Sequence, residues 1–365
     1  MMIMAIDHVR DFFHADALLF SPTDLDKTNA ALFLTRWITH LCAPVFAFTA
    51  GIGAYYWSRR HGRSASAMLV RRGLMLVVLE LTVLRFALFL NHFFDAPLFV
   101  TVLWSLGWSM VALAALVYLP IRILTVLSLA VIALHNLLDG IQGGLWWKIL
   151  HQPGAEQLPG IGLFIVAYPL VPWIFIMSAG YCFGRVMELP DRRVWMLRVG
   201  AAMTLGFVVL RAINRYGDPV PWSTQANGLT WASFLNASKY PPSLDFVLMT
   251  MGPALLILAL FEGMRFGPGN PLMVFGKTPL FFFLGHFLLA HLLAFPLAWI
   301  RYGTVDFLRN IQPNMGGDLK PYPPGYGYSL AGTYAIWLLV LAIMYPLCRW
   351  YLASGSRGPS GSQGK

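Results

Sequence analysis

Long apolar runs separated by short polar stretches dominate this chain. Ten such runs can be read in order, over residues 1–20, 30–57, 68–90, 98–119, 121–138, 161–183, 194–212, 244–261, 279–299 and 329–351. Most are long enough to cross a hydrocarbon layer, which takes roughly 20 residues as a helix. The first run has only six residues before its first charge, so its helix is expected to begin upstream of Met1. The polar connections contain helix breakers: Pro22 after the first run, glycines between 139 and 160, and Pro219, Pro221, Pro241 and Pro242 between 213 and 243. Ser243, after the last two prolines, is placed to cap the next helix. The pattern predicts an all-α polytopic transmembrane helix bundle of about ten spans, a single domain over residues 1–352. A Ser/Gly-rich tail, 353–365, is expected to be disordered and cytoplasmic.

Composition agrees with the pattern. The 365 residues are 58% hydrophobic and only 12% charged, against about 25% charged in soluble domains. The net charge of +10 raises the question of nucleic acid, but the basic residues sit in short connections between apolar runs, which excludes that partner and leaves the lipid bilayer. Arg59, Arg60, Arg63, Arg71 and Arg72, then Arg185, Arg192 and Arg193, then Arg265 and Lys277, and finally Arg349 and Arg357 fall on one side if the runs alternate. By the positive-inside rule that side is the cytoplasm. Both termini then lie inside, and the long connections 139–160, 213–243 and 300–328 lie outside. Neither a basic n-region nor a small-residue cleavage site is present, so no cleavable signal peptide is expected. Cys42, Cys182 and Cys348 lie far apart in apolar runs and read as buried free thiols.

Ionisable residues inside this apolar pattern mark the candidate chemistry. Read as a helix, Asp7, Arg10, Asp11 and His14 fall at i, i+3, i+4 and i+7, on one face. Each ionisable group inside a membrane costs about 2.5–3.5 kcal/mol on insertion scales. This stripe should therefore face protein or a water-filled cavity, as a functional site or as a neutral network pinning the first helix. Arg36 and His40 share a face of the second run, and His286 lies at mid-depth in the ninth with no local polar partner. His92, with Asn91 and Asp95, reads as interfacial. His135 and Asp139 read as a helix end before Gly140, and His291 as structural or interfacial. No Walker A, HExxH or CxxC sequence occurs, and no histidine pair has diagnostic metal spacing, so no metal is expected. Gly51-Ile52-Gly53 reads as close helix packing rather than a nucleotide loop.

The run Ile3-Met4-Ala5-Ile6-Asp7-His8-Val9-Arg10-Asp11-Phe12-Phe13 resembles the opening of a bacterial membrane family of unknown function. That family is similar to the catalytic region of heparan-alpha-glucosaminide N-acetyltransferase. Further stretches share the likeness: Phe33 to His40 and on to Gly51, Tyr168 to Trp173 and on to Gly180, Ser238 to Ser243, and Phe275 to His286. The resemblance implies a multi-pass protein of the bacterial inner membrane that moves an acetyl or acyl group. The donor would be acetyl-CoA or another acyl-CoA, and the acceptor a carbohydrate or amino sugar at the outer face. His14 best matches the family's catalytic histidine, and Gly285-His286 matches a Gly-His pair in a late helix. On this reading His14 acts as general base or acyl carrier, with Asp7 or Asp11 orienting it and Arg10 holding the carboxylates. His8, Arg36, His40 and His286 bind substrate. A transporter or channel using the same groups as a relay is the rival reading, and a noncatalytic scaffold the third. An oligomer is compatible with the sequence.

Overall fold

The structure is a computed structural model, and it describes residues 1–62, 64–90, 97–308 and 322–355. Asn91, His92, Asp95, Arg63 and the tail beyond 355 lie outside the described residues. In order, the helices are α1 (Met2–Phe13), α2 (Ala30–Thr39), α3 (Cys42–His61), α4 (Ser64–Leu79), α5 (Arg85–Phe89), α6 (Val102–Leu116), α7 (Ile121–Leu134) and α8 (Leu145–Leu150). They continue as α9 (Leu170–Phe183), α10 (Arg192–Ile213), α11 (Thr230–Leu235), α12 (Leu244–Phe261), α13 (Pro271–Lys277), α14 (Pro279–Tyr302) and α15 (Leu330–Gly355). Three strands, β1 (Leu98–Val100), β2 (Gly154–Leu158) and β3 (Gly162–Val166), join them. The chain is an all-α polytopic bundle that contacts the bilayer. Among the described residues, seven helical segments are long and apolar enough to cross a membrane, with α6 a shorter apolar helix. All three cysteines are free thiols, Cys182 and Cys348 buried and Cys42 half-buried.

Several boundaries move for physical reasons. The second run is two helices, α2 and α3, because Pro44 lacks the N–H that would bond the His40 carbonyl. The run at 161–183 begins as a strand, and its helix starts only after Pro169. β3 pairs in parallel with β1 and antiparallel with β2, Val100 opposite Val166 and Gly154 opposite Val166. Val100, Phe164 and Val166 form a small core under this sheet, packed by Trp104, Leu145 and Ile149.

The chain packs as two compact units. The first comprises residues 1–39, 86–93 and 264–365. In it α1 packs against α2, α14 and α15, and α13 packs on α15. The second comprises residues 40–85 and 94–263. Its main pairings are α3 with α9, α4 with α6, α10 with α12, and α9 with α6 and α7.

Small residues set the spacing in the second unit. A Cβ at Gly180 would overlap the Phe48 carbonyl, and one at Gly51 would overlap the Met177 carbonyl. α3 and α9 thus meet backbone to backbone, as small-residue packing in membranes allows. Gly53, by contrast, has nothing within 4 Å of the same position. Gly180→Ala should force the two helices apart and destabilise by about 1–3 kcal/mol, the usual cost of overpacking. Gly53→Ala should be near neutral. Thermal unfolding of the two variants in detergent compares them directly; equal stability would contradict the close crossing.

The arginine asymmetry carries the orientation. Reporter fusions placed after Gly62 and after Ala226 should report opposite sides of the membrane, the first cytoplasmic. Signals from the same side would overturn the arrangement.

Candidate functional site

The first unit buries the charged groups of α1. Asp7 is 6% exposed and Arg10 2%. The Arg10 guanidinium donates to Asp7 at 3.2 Å and to Asp11 at 2.6 Å. Arg36 of α2 donates to the second oxygen of Asp7. Two carboxylates and two guanidiniums therefore form a neutral set, and each buried charge has an opposite partner. Three of the four come from one helical face, as the i, i+3, i+4 spacing requires.

His8 sits beside this network, its Nδ1 3.9 Å from an Asp11 oxygen. Its ring lies 3.9 Å from the Phe287 ring and 5.3 Å from the His286 ring, centre to centre. His286 is fully buried. The mid-depth histidine, without a polar partner on its own helix, thus faces the interior of its unit and meets His8 of α1. Its Nδ1 lies 2.8 Å from the Phe282 carbonyl. A carbonyl only accepts, so Nδ1 carries the proton and Nε2 holds the lone pair. That Nε2 is buried and makes no hydrogen bond among the described residues.

His14 departs from the predicted stripe. α1 ends at Phe13, and His14 is its C-cap, with extended backbone (ψ 137°). The chain leaves the helix to pair with a distant segment: Ala15 donates to the Tyr328 carbonyl at 3.0 Å, and Tyr328 donates to Phe13 at 2.6 Å. His14 remains buried, and its Nδ1 accepts from the Asp16 amide at 3.2 Å, capping a short 3-10 turn. In the neutral ring Nε2 then carries the proton. The carboxylate beside it is Asp16, at 4.0 Å, while Asp7 and Asp11 serve the arginines.

The second unit holds the other predicted groups. His40 lies in the turn after α2, so the helix break ends the face it was expected to share with Arg36. It is buried, with its ring 5.3 Å from that of Phe246. His135 and Asp139 come together with His151, whose Nε2 is 2.9 Å from an Asp139 oxygen. Burial alone would raise the Asp139 pKa; hydrogen bonds from His151 and Asn136 outweigh it and hold the carboxyl below its ordinary value. His291, in the first unit, is structural: its ring nitrogens lie 2.9 and 3.3 Å from the Ala87 and Leu308 carbonyls.

Several buried ionisable groups, Glu80, Arg211, Asp218 and Asp245, were not singled out by the sequence. Glu80 accepts from the amides of Leu103 and Trp104, at 3.0 and 3.3 Å, and from Thr101, so it caps the start of α6. Arg211 donates to the carbonyls of Val220, Ser233, Phe234 and Asn236 at 3.0–3.1 Å. It lies 3.8 Å from both Asp218 and Asp245. Asp218 in turn accepts from the Ser238 amide and the Ser243 hydroxyl, at 2.7 and 2.6 Å. These bonds fix the connection that carries Ser238 to Ser243. Ser243 also caps α12, accepting from the Phe246 amide at 3.0 Å.

A multi-pass helical membrane protein with a buried, neutral carboxylate–guanidinium network beside two histidines is the class that fold and site define. Residues 2–212 match the family described as heparan-alpha-glucosaminide N-acetyltransferase, catalytic, and the chain belongs to that family. The match covers the α1 network, Arg36, His40 and the His135–His151 cluster; His286 lies beyond it. A comparison with curated proteins finds no match.

Proposed function

We propose that this protein is a membrane acyltransferase that moves an acetyl or acyl group from acyl-CoA to a sugar or amino-sugar acceptor at the outer face of a bacterial inner membrane. Membership of an acetyltransferase catalytic family supports the reaction class. The observation that carries the mechanism is the bare Nε2 of His286, a lone pair held in place by the Nδ1 bond to Phe282. A general base needs an unprotonated atom aimed at the proton it takes. In the proposed step Nε2 takes the proton of the acceptor amine or hydroxyl as that group attacks the thioester carbonyl. The new C–N or C–O bond forms, the C–S bond breaks, and the CoA thiolate leaves and is protonated. The Asp11 carboxylate beside His8 offsets the charge of the resulting imidazolium, and Arg10 and Arg36 hold the carboxylates in place. His14 takes a different part from the one its position in the sequence implies: with Nδ1 occupied, it offers Nε2–H to the substrate as a donor.

The test is donor turnover. Purified protein should release free thiol from acetyl-CoA at a rate that depends on added glucosamine. Thiol release indifferent to the amino sugar would remove it as acceptor, and no release with any amino sugar would remove the reaction.

A second reading has its own support. Arg36, Asp7, Arg10, Asp11, His8 and His286 form an unbroken series of ion pairs and ring contacts, which also suits a proton relay in a transporter. Proton uptake driven by a solute gradient in proteoliposomes, without CoA, would favour it.

A further inference from the structure

The C-terminal end of α7 carries a cluster that the acyl-transfer mechanism does not use. His135, Asp139 and His151 each offer one ligand atom, and the three atoms lie within 4.8 Å of one another. All three residues belong to the second unit. His135 and His151 are 3% and 1% exposed. Their rings meet edge to face, with centres 5.5 Å apart. The hydrogen bond from His151 Nε2 to Asp139 uses one of the four imidazole nitrogens. The other three, both of His135 and Nδ1 of His151, are buried without a hydrogen bond among the described residues. The Pro242 carbonyl faces the His135 ring but outside hydrogen-bond geometry. Buried polar atoms left bare are unfavourable, and three in one cluster demand a reason.

We infer that His135, Asp139 and His151 form a divalent metal site, with zinc as its ion. Two imidazoles and one carboxylate are a ligand set that zinc takes, and imidazole disfavours magnesium and calcium. With bonds of about 2.0–2.2 Å, tetrahedral geometry sets the ligand atoms roughly 3.4 Å apart. The three ligand atoms, within 4.8 Å of one another, draw together to that spacing when the ion binds. The ion takes the place of the His151–Asp139 hydrogen bond and gives one of the two bare His135 nitrogens a partner. Asn136 already acts as an outer support: its amide nitrogen donates to the second Asp139 oxygen at 2.7 Å, while its oxygen accepts from the Leu244 amide at 2.9 Å. The carboxylate is thereby turned with one oxygen toward the histidines. Three protein ligands leave a fourth position for water. The ion would tie the end of α8, where His151 is the C-cap, to the end of α7, and so hold the connection between them against the second unit.

The test uses the full chain, free of any histidine tag, stripped with chelator and then offered Zn²⁺ or Co²⁺. Elemental analysis should find one zinc per chain, and cobalt should give the visible absorption of a four-coordinate ion. His135→Gln and His151→Gln should each abolish stoichiometric binding, whereas His61→Gln, at an exposed histidine, should not. Asn136→Ala should weaken binding by about 10–100-fold, the usual effect of losing an outer support. X-ray absorption of the zinc-loaded wild type needs no variant and should show two imidazoles around the ion. No zinc above background in the wild type, zinc retained by both histidine variants, or an all-oxygen shell would each overturn the site.

Discussion

Replacing His286 by glutamine should lower acyl transfer by about 10²–10⁴-fold, the range a positioned general base contributes. Glutamine is close to histidine in reach, and its amide can still donate to the Phe282 carbonyl that now accepts from Nδ1. What it cannot do is take a proton at the position of Nε2. The loss should therefore appear in kcat, with acceptor KM changed far less. Circular dichroism and size exclusion in detergent should report a folded protein. Wild-type turnover in a folded His286→Gln protein would remove His286 from the mechanism. His14→Gln gives the contrast: glutamine can keep a side-chain acceptor for the Asp16 amide and an N–H donor, so activity should fall less than in the His286 variant.

Asp7→Asn should be the most destabilising single change in the first unit. Asp7 is the carboxylate that Arg10 and Arg36 share, and its removal leaves two buried guanidiniums against Asp11 alone. Breaking a buried ion pair from one side costs about 3–5 kcal/mol, because the charge left behind is uncompensated. The effect should read as a lower unfolding temperature in detergent. The double variant Asp7→Asn/Arg36→Gln restores neutrality and should recover part of the loss. A single variant as stable as wild type would show that solvent, rather than Asp7, balances these arginines.

The helices were legible because apolar runs of membrane-spanning length have few other solutions. The strands were not. Residues 98–100 and 162–166 are apolar and continuous with apolar helices, and a short apolar run has no periodicity to separate strand from helix. The α1 network was legible through Arg10 because its partners are local, at i−3 and i+1. The fourth member, Arg36, which pairs with Asp7 from α2, shares no element with the other three. His14 was misplaced because a segment near Tyr328 draws the backbone out of the helix, and nothing near His14 in sequence announces that. His151 was invisible because it reaches Asp139 across a loop and the short helix α8, not by a helical spacing. Glu80 lies alone in apolar surroundings and its partners are backbone amides, while Arg211 is held by four carbonyls and by Asp218 and Asp245 from a later connection and helix, which no local spacing reveals.

The most direct measurement is transfer of labelled acetyl from acetyl-CoA to an amino sugar by the purified protein. Labelled N-acetyl sugar should accumulate with time, match the free CoA released, and fall by about 10²–10⁴-fold in His286→Gln. Label that stays in acetyl-CoA across the amino sugars tried, or product formed at the same rate by the His286 variant, would contradict the proposed reaction or its base.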